Sequence, residues 1–411
     1  MSSSTTFGTG EIPAVSVNLS ETNLFKPIKV GSVELQNRLA YAPTTRIRNL
    51  VNGVPTNSVL EYYRRRAENN GGLLIFEATA PHSSLGPYKF TPVIETKEQV
   101  SAFAKIIDAV HKEGSKISVQ LWSLGRTADA AFLKENGYPF KAPSAIYFDE
   151  ESEKKAKEAG NELQEMTKED IKNAVKHFAE GAKRAIDAGA DFIEIHGAHG
   201  YLVDQFIQES SNHRTDEYGG SIENRARFAL EVVDACIAAV GAEHVGIRLS
   251  PYAYFQGSLG LASSVHPIVM WGYILSELER RAKEGKKLAY VSMVEPRVSG
   301  VDDNVAGEKL DLNWAGNIWS GILVTAGAHL DPKNIQKIKD VVNRDDRTIV
   351  AVGRYYTSNP DLANRLKNGW ELTAYDRQTF YNPMSNVGYL NFTKYGEEED
   401  HSFDDKKVVG L

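Results

Sequence analysis

Short runs dense in Val, Ile, Leu, Phe and Tyr recur eight times along the chain, at 38–44, 73–79, 116–122, 191–196, 245–250, 288–294, 322–327 and 348–353. Their length and β-branched content predict strands. Between most of them apolar residues return at helical spacing, which predicts helices over 58–68, 98–113, 168–187, 221–240, 267–283 and 332–342. A further helix, 360–367, follows the last strand. The stretch 168–187 shows the logic: Ile171, Val175, Phe178, Ala182 and Ile186 form one stripe. Thr167 stands where a cap belongs, Asp170 adds negative charge to the first turn, and Gly189 supplies the stop. Eight strands interleaved with helices predict a single parallel (β/α)8 barrel of the TIM type, with long loops at the C-terminal face of the strands. The competitor is an open doubly wound sheet, which would be expected to carry a dinucleotide fingerprint after a strand. The nearest string, Gly8-Thr-Gly10, has neither the third glycine nor the preceding strand.

Two connections are longer than a barrel needs. One, 123–167, holds the charge run 150–158, which predicts a solvated helix face with opposite charges four residues apart. The other, 295–320, holds Val-Ser-Gly-Val-Asp-Asp-Asn. Both leave the C-terminal ends of strands and are placed to roof a site. Residues 1–22 are expected to form an N-terminal arm, 23–395 the barrel and 396–411 a C-terminal tail.

Composition adds mainly exclusions. The 411 residues are 42% hydrophobic and 25% charged, as in an ordinary globular protein. A net charge of −7 argues against bulk nucleic-acid binding. No apolar run approaches a membrane span, and the first residues lack a basic stretch followed by an apolar one, so neither a membrane segment nor a secretory signal is expected. The single cysteine, Cys236, rules out an intramolecular disulfide and a cysteine-rich metal site. It lies in an apolar helical pattern, is expected in the core, and fits a reducing, cytoplasmic compartment.

Candidate chemistry gathers at strand ends. Ala-Asp-Phe-Ile-Glu-Ile at 190–195 runs into His-Gly-Ala-His-Gly-Tyr at 196–201, so two imidazoles and a phenol follow one strand within six residues. Imidazole donates and accepts hydrogen bonds near neutral pH, and a phenol can deliver a proton without first being charged. The His-x-x-His spacing of His196 and His199, with Asp191 or Glu194 nearby, also permits a metal site, although no third ligand has an obvious spacing. Gln120 and Arg248 lie inside apolar strands, where each needs a partner. A buried carboxylate would serve, and so would the pyrimidine edge of a flavin. Thr45 ends the first strand. Gly327 closes the seventh strand and Gly353-Arg354 the eighth, the two positions where barrels often bind phosphate.

These residues resemble the Old Yellow Enzyme family of FMN-dependent ene-reductases, in its fungal branch. The resemblance runs from Asn23-Leu-Phe-Lys-Pro-Ile-Lys29 to Tyr375-Asp-Arg-Gln-Thr-Phe-Tyr381, and its most specific parts are 196–201 and Arg214-Thr-Asp-Glu-Tyr-Gly-Gly-Ser-Ile-Glu-Asn-Arg-Ala-Arg227. It implies FMN as cofactor and NADPH as co-substrate. Thr45, Gln120 and Arg248 would bind the flavin ring, and Gly327, Gly353 and Arg354 its phosphate. His196 and His199 would grip the carbonyl or nitro oxygen of an activated alkene, FMN would pass hydride to the β-carbon, and Tyr201 would protonate the α-carbon. Trp122, Phe255 and Tyr381 would shape the substrate pocket. Activated alkenes and phenolic ligands are the implied partners, and a homodimer is the assembly carried forward. Three positions depart from the commoner pattern: His199 replaces an asparagine, Ala328 a polar residue, and an aromatic is missing near Asp302. The 214–227 stretch is expected to serve loop packing and the helix cap at Ser221. Two other readings stay open: a metal-dependent barrel hydrolase using His196 and His199, and a phenol- or steroid-binding flavoprotein with incidental turnover.

Overall fold

Alternation along the strands decides where the two apolar layers lie, because successive side chains leave a strand on opposite faces. In β1 (Leu39–Tyr41), Ala40 joins a cluster inside a barrel while Leu39 and Tyr41 pack outward. In β2 (Leu73–Thr79), Leu73 and Ile75 face in, and Leu74 and Phe76 face out. The structure, a computed structural model, describes residues 14–296, 298–299, 302–303 and 310–411. Six more strands complete the barrel: β3 (Lys116–Leu121), β4 (Phe192–Gly197), β5 (Val245–Leu249), β6 (Tyr290–Val294), β7 (Leu323–Ala326) and β8 (Thr348–Val352). Each pairs in parallel with the next, and β8 pairs with β1 to close the ring.

The helices of the outer ring are α1 (Asn57–Ala67), α2 (Lys97–Lys112), α3 (Lys168–Asp187), α4 (Ile222–Val240), α5 (Pro267–Lys283), α6 (Lys337–Asn343) and α7 (Leu362–Asn368). Thr167 and Asp170 form a reciprocal capping box at the start of α3, and Gly189 turns the chain at φ +104° after its end. Two expectations need trimming. The first strand stops before 44, since Pro43 has no N–H to extend the ladder. The expected helix 332–342 is broken: Asp331 caps a single 3₁₀ turn, Pro332–Asn334, and α6 begins three residues later.

A hairpin, Ile28–Val30 with Val33–Leu35, contributes Ile28, Val30 and Leu35 to the interior cluster and so helps to fill the barrel. Above it the interior turns polar. Ser118 and Tyr290 share a hydrogen bond of 2.9 Å between β3 and β6. A Cβ at Gly246 would lie 2.6 Å from the Tyr290 ring, so this strand position has room only for glycine.

The connection 123–167 folds into a small cap. It contains Ala130–Glu135, the charged helix Glu150–Ala159 and a parallel pair, Lys141–Ala142 with Gln164–Glu165, around its own apolar cluster. In the charged helix only Ala156 is buried, as a solvated face requires. The second long connection, 295–320, lies partly outside the described residues. Of the expected arm, residues 1–13 also lie outside them, while Val15 bridges to Leu372 and Leu19 N–H donates to Leu366. At the other end, residues Val409–Leu411 return to the start of α1, with Leu411 N–H on the Pro55 carbonyl. No single described helix is long and apolar enough to cross a membrane. Cys236 is buried in α4.

Candidate active site

Strand register brings the candidate residues together. Gln120 on β3 sits opposite Glu194 on β4, and His196 on β4 opposite Arg248 on β5. Glu194 and His196 are two residues apart and therefore share a face. Gln120 Nε2 donates to Glu194 Oε1 at 2.6 Å. Arg248 is buried and its Nε has no hydrogen-bond partner. Burial pulls the Arg248 guanidinium down from its usual range, and the Glu194 carboxylate opposes that pull. Burial likewise raises Glu194, against the Arg248 charge and the Gln120 bond. The buried carboxylate foreseen as a structural partner is thus present. It answers Gln120 directly but leaves Arg248 unsatisfied, and an orphaned buried donor costs about 1–3 kcal/mol.

One level above, β4 ends and the chain turns sharply. His199 adopts φ +58° and Gly200 φ +71°. His199 N–H donates to Ser250 Oγ at 2.8 Å, which ties the turn to the end of β5. The His196 and His199 rings stand 6.0 Å apart and nearly perpendicular, and Tyr201 lies 5.1 Å from His196. Trp122, at the end of β3, meets Tyr201 edge to face at 5.2 Å, and Tyr88 flanks Trp122 at 5.6 Å. Phe255 approaches His199 at 6.2 Å.

Burial shifts all three groups toward their neutral forms, and the Arg248 charge adds to that at the two imidazoles. Burial first, then Arg248 and His199, holds His196 well below the usual imidazole range. Burial and Arg248 pull His199 down to about 3. Burial first, then Tyr88, pushes the Tyr201 phenol well above its usual range. Two neutral imidazoles and one protonated phenol therefore share a small volume at the barrel mouth. A metal site finds no support in this geometry. Glu194 is engaged with Gln120, and Asp191 bonds His111 at 2.7 Å and the Ile117 N–H at 2.9 Å. Among the described residues no group of three or more His, Cys, Asp or Glu side chains converges.

The other candidates lie on the same rim. Thr45 is half-buried in the segment after β1. Its neighbour Thr44 bonds the Tyr41 hydroxyl, and a Cβ at Gly353 would lie 3.5 Å from the Thr44 methyl. At Gly327 a Cβ would lie only 2.4 Å from Glu295 Cβ, so close approach demands glycine there. Arg354 opens the short helix Arg354–Ser358 after β8. Tyr381 is half-buried beside Phe380 at 6.4 Å and is pushed up by burial, against the charges of Arg46, Arg377 and Arg354. The 214–227 stretch holds structure, as expected. Arg214 is buried, donates to the carbonyls of Pro143 and Met166 at 2.8 and 2.6 Å, and pairs with Asp216 at 2.7 Å. Ser221 caps α4 by accepting from Asn224 N–H.

Comparison with known proteins decides the family. Residues 23–373 match the NADH:flavin oxidoreductase / NADH oxidase family. A probable NADPH dehydrogenase from Candida albicans is 45% identical over 398 residues, 95% of this chain and 94% of that one. Enoate reductase 1 from Kluyveromyces lactis is 42% identical, covering 92% of this chain and 96% of its own. The crystal structure of Old Yellow Enzyme from Pichia sp. AKU4542 superposes with a TM-score of 0.91 at 56% identity, covering 96% of this chain and all of that one.

The chain belongs to the Old Yellow Enzyme family. It is an FMN-dependent NADPH oxidoreductase of the ene-reductase type. The barrel mouth suits that cofactor. The unpartnered Nε of Arg248 calls for an electron-rich acceptor, and the turns at Gly327 and Gly353, with Arg354 beside them, stand where barrels receive phosphate. Sequence reasoning placed Glu194 only as a metal candidate, and it passed over Ser250, Asp204 and Gln205. The signal for the last two was available: both are polar residues inside the apolar run Leu202–Ile207.

Proposed function

We propose that this chain reduces alkenes conjugated to a carbonyl or nitro group, with His196 and His199 as oxygen ligands and Tyr201 as proton donor. FMN, when bound, supplies the two-electron chemistry, taking a hydride from NADPH and returning one to the substrate. Thr45, Gln120 and Arg248 would hold its ring, and Gly327, Gly353 and Arg354 its phosphate. Neutral His196 and His199 each keep an N–H for the substrate oxygen. Donors fixed in a dry site stabilise the negative charge that develops there. Tyr201 keeps its proton until the α-carbon needs it, since burial disfavours the phenolate. Trp122, Phe255 and Tyr381 would form the walls. The lone buried Cys236 supports a reducing, cytoplasmic setting.

The observation that carries this reading is the convergence of two imidazoles and one phenol at a single strand end. Separate rapid-mixing measurements of the two half-reactions test it. Tyr201→Phe should leave reduction by NADPH nearly intact and slow oxidation by 2-cyclohexenone by about 10²–10⁴-fold, the usual worth of a positioned general acid. Equal loss in both half-reactions, or in neither, would sink the assignment.

A further inference from the structure

The short helix Leu202–Ile207 is apolar except for Asp204 and Gln205, and both are fully buried. Polar side chains so placed need partners; Asp204 accepts from Gln208 Nε2 at 3.3 Å, and the other bonds of the pair go to backbone groups of the site. Asp204 Oδ2 accepts from the Gly200 N–H at 2.8 Å. Gln205 Nε2 donates to the Gly200 carbonyl at 2.7 Å and to the Leu124 carbonyl at 2.8 Å, while its Oε1 accepts from the Arg126 N–H at 3.1 Å. Gly200 separates His199 from Tyr201, and Leu124 lies two residues beyond Trp122. One amide therefore joins the two loops whose rings, Trp122 and Tyr201, meet at 5.2 Å.

The fit around that amide is close. A Cβ at Gly125 would stand 2.0 Å from Gln205 Oε1, and one at Gly200 would stand 2.8 Å from Gln256 Cβ. Ser123, Gly125 and Leu202 also border a solvent-open pocket of about 230 Å³, shared with Leu85, Leu133 and Met166.

We propose that Asp204 and Gln205 are positioning residues for the reaction. Asp204 fixes the turn that aims His199 and Tyr201. Gln205 sets the distance between the Trp122 wall and Tyr201, and with it the substrate face that meets the proton donor. The proposal rests on Tyr201 being that donor.

The test compares Asp204→Ala, Asp204→Asn and Gln205→Met holoenzymes. Asp204→Ala should slow oxidation by 2-cyclohexenone about 10²-fold, as a ~1 Å misplacement does, with reduction by NADPH unchanged within about twofold. Asp204→Asn keeps an acceptor for Gly200 and should recover most of the rate. Gln205→Met keeps the volume but removes the bonds to Gly200, Leu124 and Arg126. It should erode the stereochemical purity of the product from a 2-methyl enone. Amide hydrogen exchange over 198–201 should quicken in Asp204→Ala and Gln205→Met but not in Asp204→Asn. Should Asp204→Ala fail to fold, the other two variants decide. Equal slowing of both half-reactions, no advantage of Asn over Ala, or unchanged stereochemistry and exchange in Gln205→Met would overturn the proposal. Tyr201→Phe runs alongside. If it reacts normally, the proton-donor reading has failed. If it is slow while the Asp204 and Gln205 variants behave as wild type, only the positioning proposal has failed.

Discussion

His199 sits in a left-handed turn, a conformation that histidine tolerates better than most residues with a Cβ. Its neutrality has a consequence for pH. The folded pKa, about 3, is depressed below the unfolded value of roughly 6.5. For a depressed imidazole, the stabilisation is full above the unfolded pKa and is lost as pH falls toward the folded one. Thermal stability should therefore decline below about pH 6.5, and His199→Asn, which cannot charge, should soften that decline. Melting curves between pH 7 and 4 check this, and parallel curves for the two proteins would contradict it. His196, His199 and Tyr201 were legible as a cluster from spacing alone. Their roles came only with the family resemblance, and their protonation preferences were not legible, because these depend on burial and, for the two imidazoles, on Arg248, which arrives from another strand through the barrel register. Asp204 and Gln205 were hidden for a similar reason. Most of their partners are backbone groups, and these carry no mark in a sequence.

At the level of elements, the strands and most helices followed from periodicity because each must bury one face or stripe. The errors fell where a single residue overrode the pattern: Pro43 cut β1 short, and Asp331 with Pro332 broke the helix before α6. Glycines inside strands read as weak points in a sequence, yet Gly246 in β5 is a fitted one. Gly246→Ala would push a methyl to 2.6 Å from the Tyr290 ring. The Ser118–Tyr290 bond limits how far that ring can retreat. Overpacking of this kind should destabilise the fold by about 1–3 kcal/mol, read as a lower urea midpoint at unchanged slope. A midpoint equal to wild type would show that Tyr290 yields freely.

For the molecule as a whole, eight parallel strands close a ring whose mouth gathers residues from β3, β4 and β5 and from the turns after β1, β7 and β8. A cofactor held by so many separate elements should stabilise all of them together. Removal of FMN should lower the melting temperature, and adding it back at 100 times its dissociation constant should restore about 2.7 kcal/mol. An unchanged melting temperature would mean that the mouth is fixed without it. The family was legible because its two signature stretches, 196–201 and 214–227, serve different ends. The first gathers two imidazoles and a phenol at one strand end, and the second ties the cap to the barrel through Arg214. Electron transfer from this mouth to an alkene activated by a neighbouring oxygen is read in the absorbance of the anaerobic holoenzyme. NADPH should bleach the flavin band, and 2-cyclohexenone, but not cyclohexanone, should restore it. A band that stays bleached with the enone, or returns equally with the saturated ketone, would show that the mouth does not reduce activated alkenes.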